Sequence, residues 1–418
     1  MAADDSEKAI QGADRAILRD LAKRTRDIAM QPVMAERVAL WKRHNALKPC
    51  RPMILIFPEG SWRELLPPSS LRCQGERARS IEMELRQRIY TCEGFDCDNV
   101  VTAEWLVGPS IVSTGWGVEA EWHFSDEATG ARAFSPVIHE PADLKKLRWP
   151  QVSVDEEKTA ANLVRAQELF GDILDVRRVG IKHFSYHLMS HWTSLRGLEQ
   201  TMMDMVENPP FLHDAMAFLA EGHKRILRQY IELNLLDVNN DNTYHSSGGN
   251  GWTDELPAAG FDPRRVRPAD VWASAEAQEL ALVSPAMHAE FALKYEKELL
   301  APFGLNGYGC CEDLTRKLDD VLTIPNIRRI SVSPFADVAA CAAKIGRKAI
   351  VSWKPHPSLV AGDYNPQRIR DQIHHALDVA RGCTLEMILK DTHTCENQPQ
   401  RFAVWSRIAR EQVDSLTG

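Results

Sequence analysis

Short apolar runs recur along the whole chain, each with the length of a strand buried on both faces. They are Pro52–Phe57, Asn99–Leu106, Val179–Phe184, Leu235–Asn240, Phe303–Gly309, Ile327–Pro334, Lys348–Pro355 and Cys383–Asp391. Runs of this length bounded by turn residues read as strands, and segments of helical period lie between them. Helix starts are marked at Asn208-Pro209, Ser284-Pro285 and Asn365-Pro366. There a capping side chain takes up an orphan N–H and the proline after it has none to leave unpaired. After Asn365, Ile369, Ile373, Ala376, Leu377 and Ala380 fall on one helical face, Gly382 ends the helix, and the apolar run Cys383–Leu389 follows. Strands alternating with helices imply right-handed parallel crossovers. Eight such units predict an α/β fold of the (β/α)8 TIM-barrel type.

Two segments stand outside that rhythm. Ala13, Ile17, Leu18, Leu21 and Ala22, then Met34, Val38, Leu40 and Trp41, recur at helical spacing. Residues 1–48 are therefore expected to be an N-terminal helical extension, with 49–418 as the barrel. Gly108, Gly115, Gly117 and Gly130 separate β-rich pieces and predict a β-hairpin insertion after the second strand. A doubly wound sheet would need a glycine-rich phosphate loop after an early strand, and Phe57-Pro58-Glu59-Gly60 is not one.

Composition narrows the function classes. The 418 residues are 44% hydrophobic and 26% charged, as in soluble globular proteins. A formal net charge of −8 argues against nucleic acid or an anionic membrane as the main partner. No run approaches the roughly 20 apolar residues of a membrane helix, and Met1–Lys8 lacks the order of a secretory signal. A cytoplasmic location is expected. Nine cysteines in a chain this long suit core thiols or metal ligands better than a disulfide framework.

Strand ends of a barrel share one face, so the residues there are the candidate site. Glu59, Trp62, Glu104, His187, Asn240, Tyr244, Lys354 and His356 are expected to contact substrate. Asp241 and His245, in a polar loop after a buried run, could move protons or donate hydrogen bonds. Six of the 11 tryptophans (62, 105, 116, 192, 252 and 353) fall in or just beyond strand ends and would suit an aromatic or compact apolar ligand. Tyr308-Gly309-Cys310-Cys311-Glu312 and Lys390-Asp391-Thr392-His393-Thr394-Cys395-Glu396 carry the thiolate, imidazole and carboxylate ligands of zinc. Buried core thiols are the competing reading.

The stretch from Leu305 to Pro357 resembles the uroporphyrinogen decarboxylase superfamily, and more closely its corrinoid-dependent methyltransferase branch. In that branch a His-x-Cys-Gly-Asn stretch ends a strand, a short helix follows, then an Ile-Ser-Val-type strand. Here Tyr308-Gly309-Cys310-Cys311-Glu312 precedes Leu314–Val321 and Arg329-Ile330-Ser331-Val332-Ser333. Gly346–Pro357, Gly197-Leu198-Glu199 to Asn208-Pro209, and Arg51-Pro52-Met53-Ile54-Leu55 resemble further family segments, so the likeness runs from about residue 50 to 400. Glu59 stands where the decarboxylases need cations for a porphyrinogen's carboxylates, which argues against that substrate. The resemblance implies Zn2+ held by Cys310, Glu312 and Cys395, with Tyr308 in the place of the family's histidine and His393 or Cys311 in reserve. It further implies a corrinoid supplied by a partner protein, and transfer of methyl from a small methoxylated, possibly aromatic, substrate while zinc activates the leaving group. Transfer from a methylcorrinoid to a thiol or folate, or a zinc-free decarboxylase-like lyase using Asp241 and His245, are the alternatives. A non-catalytic corrinoid- or ligand-binding protein is a third.

Overall fold

Met53–Ile56, the centre of the first apolar run, forms strand β1 with every residue buried. In this computed structural model, which describes residues 10–124, 132–245 and 248–416, six more strands join it. These are β2 (Ser185–Tyr186), β3 (Trp272–Ala275), β4 (Leu305–Tyr308), β5 (Ile327–Val332), β6 (Ile350–Trp353) and β7 (Thr384–Leu389). All pair in parallel, in the order β1-β7-β6-β5-β4-β3-β2. Neighbours in sequence are thus neighbours in space, and the first strand lies beside the last. That cyclic order belongs to TIM-barrel-like folds and not to a doubly wound sheet, whose order reverses. Among the described residues no continuous ladder closes the ring between β1 and β2.

The sequence reading fails at three places. Of the expected strand Asn99–Leu106 only the end is extended: Glu104–Val107 pairs with Asp175–Arg178 in a separate two-stranded parallel sheet. Its start is apolar because Val100 packs with Trp41, Met53 and Leu55, and Val101 with Ile28, Met34 and Ile89. The run Leu235–Asn240 is no strand; it touches the sheet through one parallel bridge, Ile181 to Leu236. Polar side chains replace the ladder there. The Asn239 side chain donates to the carbonyls of Lys182 and Trp272 and accepts the Trp272 N–H, at 2.8–3.0 Å, so it acts as a spare peptide group between two segments. Strand β3, in turn, was not anticipated, since Trp272-Ala273-Ser274-Ala275 is too weakly apolar to stand out.

The hairpin insertion is present: Glu121–Phe124 pairs antiparallel with Arg132–Ser135, and Ile111–Ser113 with Val152–Val154. Ser284 and Asn365 cap their helices by accepting from Met287 and Gln367, whereas Asn208 makes no such bond.

Two helices begin the described chain, α1 (Gly12–Ala29) and α2 (Pro32–Asn45). The end of α2 reaches into the sheet interior. His44 Nε2 lies 3.1 Å from Glu386 Oε2, the Arg329 Nε donates to Glu386 Oε1 at 2.9 Å, and Arg329 Nη2 donates to Asn45 Oδ1 at 2.8 Å. All four side chains are buried. Gly249, with φ +84°, passes so close that a Cβ would sit 2.5 Å from the Arg329 guanidinium.

Candidate functional site

The strand ends bring together two stretches 80 residues apart. After β4, Gly309 turns the chain at φ +95°, where a Cβ would meet Leu314 at 2.7 Å and Ser331 at 3.1 Å. Cys310 and Cys311 follow, their sulfurs 3.6 Å apart, and Cys311 Sγ lies 3.9 Å from Asp391 Oδ2 beyond β7. Strands β4 and β7 are separated by two others, so this contact requires the sheet to curl round and face its own ends.

Asp391 is held from below. Its N–H donates to Glu59 Oε2 at 2.9 Å, and Lys390 Nζ lies 3.2 Å from Asp391 and 3.8 Å from Glu59. Glu59 and Asp391 both adopt left-handed backbone angles, φ +48° and +58°, unusual for residues with side chains. Such outliers persist where the surroundings over-determine them. Tyr244 hydrogen-bonds Lys390 and packs edge-on against Phe57, ring centroids 5.2 Å apart. Burial works against the Lys390 charge, yet Tyr244, Asp391, Cys310 and Glu59 around it hold its pKa above the ordinary lysine value. Glu59 itself is raised, chiefly by burial.

His187 follows β2. Its Nδ1 meets Glu276 Oε1 at 2.5 Å and its Nε2 meets Ser185 Oγ at 2.8 Å. The Glu276 hydrogen bond raises the imidazole pKa against an opposing effect of burial. Lys354, after β6, is 2% exposed and donates to Ser352 O and Oγ at 3.0 and 2.9 Å. Burial pulls it down to about 7.

Asp241 pairs with Lys182 and accepts from Thr243 N and Oγ1 at 2.9 and 2.6 Å. Burial pushes its carboxyl up, but Lys182 and Thr243 outweigh this and the net shift is downward. A cavity of about 480 Å3 is lined by Phe57, Glu59, Trp62, Arg88, Glu104 and Asp241, among others, a size suited to a small molecule. Trp62 is backed by Tyr90 and Phe95. Glu104 reaches the cavity but is paired with Arg177 behind it.

Other expected site residues serve the scaffold. His245 is 2% exposed, stacks on Trp272 at 5.3 Å and touches the Asn239 carbonyl; burial lowers it to about 3, so it is a neutral core histidine and no proton carrier. Asn240 ties down the carbonyls of Leu256 and Thr253. His356 caps a short turn by accepting from the Ser358 N–H.

The expected zinc shell is not assembled. Glu312 spends its carboxylate on backbone, accepting Cys310 N–H at 2.7 Å and Ala277 N–H at 3.4 Å. Burial and the charge of Glu276 push it up to about 7. Cys395 is buried and donates to Glu64 Oε2 at 3.1 Å, a carboxylate that also takes the Cys395 and Asn397 N–H groups. Among the described residues no three His, Cys, Asp or Glu side chains gather as a metal shell. Cys310, Glu312 and Cys395 as arranged do not fit the ion, and no zinc chemistry follows from them. Tyr308, in the histidine's place, points behind the sheet, donating to Glu296 Oε2 at 2.7 Å beside His288 Nε2 at 2.9 Å.

Glu276 and Lys182 do not stand out in the sequence, and Lys390-Asp391 does so only within the stretch expected to hold zinc. The pair Lys390-Asp391 was within reach, since it ends the apolar run of β7. Glu276 was hidden with β3.

No protein-family model matches the chain, and no curated protein matches it. A solved structure, a methyltransferase from Methanosarcina mazei, is similar over 90% of this chain and 98% of that one, at 11% identity and a TM-score of 0.49. A likeness this distant decides nothing about chemistry.

Proposed function

We propose that the chain is an enzyme that transfers a methyl group from a small methoxylated, possibly aromatic, substrate to a corrinoid carried by a partner protein. The observation that carries this reading is the meeting of Cys310–Cys311 with Lys390–Asp391 across the sheet, Sγ to Oδ2 at 3.9 Å. These stretches include the motif that resembles the corrinoid-dependent branch, and they sit where TIM-barrel-like folds keep their active sites. The strand-end mouth running from His187 past Cys310 to Glu59 would take the substrate, with the cavity beside Glu59, walled by Phe57 and Trp62, receiving its apolar part. When docked, the corrinoid supplies a nucleophile for the methyl carbon. The chain's own part is to orient the substrate and to stabilise the charge left on its oxygen. The lyase reading loses support, because its proposed proton carrier His245 is a neutral core residue. Among the described residues no helix is long and apolar enough to cross a membrane; a cytoplasmic setting is part of the same proposal.

The test is incubation of the purified protein with 2-methoxyphenol and chemically reduced free cobalamin. Catechol release with alkylation of the corrinoid is expected, and Cys310→Ala with Asp391→Asn should abolish it. No transfer from a panel of aryl and alkyl methyl ethers, or transfer untouched in that double variant, rejects the proposal.

A further inference from the structure

With no zinc shell assembled, something else must meet the charge that develops on the departing oxygen. Arg88 in the cavity wall is committed to Glu84 and the Glu104 carbonyl, and the other basic side chains at the mouth include Lys354, Lys182, Lys390 and His187. Lys354 is enclosed at 2% exposure. Lys182 is paired with Asp241, and Lys390 is committed to Asp391 and Glu59. His187 differs from all three: its side chain is 49% exposed, yet it is anchored through one nitrogen to a carboxylate that is 5% exposed.

Resting on the methyl-transfer reading, we propose that His187 is the general acid that protonates the leaving aryl oxide, with Glu276 as its positioning residue. The hydrogen bonds assign the ring's roles. Glu276 Oε1 accepts the Nδ1 proton, while Glu276 Oε2 is fixed by the Gln278 N–H at 2.9 Å. The exchangeable proton therefore belongs to Nε2, which faces the Ser185 hydroxyl on the exposed side. Ser185 is itself placed by Ser274 Oγ at 3.1 Å, so the line Ser274–Ser185–His187–Glu276 spans the ends of β2 and β3. This is a base-to-orienter geometry of the kind used for proton transfer. The ring has no scaffold duty that competes: it precedes the helix Leu188–Arg196 without capping it.

The charged surroundings agree. Glu276, Glu279 and Cys310 face the ring and favour its protonated form. His183 and His223 also face it, and both are lowered by burial, His223 to about 4, so neither carries an opposing charge near neutrality. The Glu276 hydrogen bond leads these effects, and together they hold the His187 pKa above that of a free histidine.

In the step, the methyl C–O bond breaks and the methyl carbon accepts the electron pair of the reduced corrinoid. The pair of the broken bond stays on the aryl oxygen, and the proton on Nε2 joins it. A water proton then recharges Nε2 as the phenol departs.

The test uses the full chain without corrinoid and 2,4-dinitrophenolate as a coloured leaving-group analogue, which stays ionised over the range titrated. We expect saturable binding that weakens as pH rises through the His187 pKa, and at least a tenfold loss of affinity in both His187→Asn and Glu276→Gln. Binding that is absent, or equal in His187→Asn, overturns the proposal. Kinetics with reduced cobalamin separate the two readings. His187→Asn should slow transfer from 2-methoxyphenol by about 100-fold or more, and from 2,4-dinitroanisole, whose leaving group needs little proton assistance, far less. Equal losses on the two ethers overturn the acid role while leaving methyl transfer standing. His187-dependent binding of the phenolate with no transfer from either ether would instead sink the function and leave the anion site.

Discussion

Replacing Arg329 by Met strips the sheet interior of the cation that pairs with Glu386. Both side chains are fully buried, with Nε to Oε1 at 2.9 Å and Nη2 to Oε2 at 3.3 Å. Burial by itself would raise the Glu386 carboxyl, but the Arg329 charge and the His44 hydrogen bond hold it well below the usual carboxylate range. Without Arg329 the carboxylate keeps the Ser352 hydroxyl and His44, whose own charged form burial disfavours. Removing one partner of a buried pair costs about 3–5 kcal/mol, because an uncompensated charge stays inside. The substitution also takes away the donors to Asn45 Oδ1 and Asn250 O. Replacing both members, Arg329→Met with Glu386→Leu, should recover most of that loss, since two apolar residues leave no charge behind. Urea unfolding at constant m measures each variant and gives the coupling energy. The pH dependence has a defined sign. A carboxyl depressed in the folded state contributes its stability fully above the unfolded value of about 4.3 and loses it as pH falls through the folded value. In Arg329→Met the carboxyl escapes its penalty by taking a proton, so the gap to wild type should be widest above about pH 5 and narrow in acid. A single variant losing under about 1 kcal/mol, or a double variant as unstable as the sum of the singles, refutes the reasoning.

Gly249→Ala should cost at least about 2 kcal/mol, because φ +84° disfavours a side chain and the guanidinium 2.5 Å away is locked by its partners; thermal unfolding checks it, and a neutral result would show that the Arg329 side chain can yield. Lys354→Met should stabilise the protein near neutral pH by roughly 2–4 kcal/mol. Lys354 titrates at about 7 when folded and at about 10.4 unfolded, so the unfolded chain binds the extra proton and the wild type gains stability as pH climbs between those values. The advantage of Lys354→Met should accordingly shrink over that window in urea titrations, and a constant difference would contradict the burial argument. Cys395→Ser should leave metal content and methyl transfer unchanged, because its sulfur is engaged with Glu64 and not with Cys310. Loss of a bound zinc ion together with activity in that variant would restore the shell that the arrangement of donors excludes.

The sequence by itself determined the layered α/β class, the parallel strands flanked by helices, the hairpin insertion and most strand ends, since local periodicity and capping residues encode them. Glu59, Tyr244 and Cys310 all lie around Lys390, although the run before Tyr244 is no strand. Strand-end reasoning went wrong where side chains do the work of backbone. Asn239 substitutes for a ladder and hides the end of the sheet, and β3 is built of small residues that carry no hydrophobic signature, so Glu276 escaped notice. Which of two neighbouring polar residues turns inward is a matter of packing and backbone angle. Asp391 at φ +58° reaches Cys311, whereas Cys395, four residues on, turns away to Glu64. The pairing of His187 with Glu276, 89 residues apart, likewise exists only because β2 and β3 lie side by side. Spacing along a chain cannot report distances that the curl of a sheet creates.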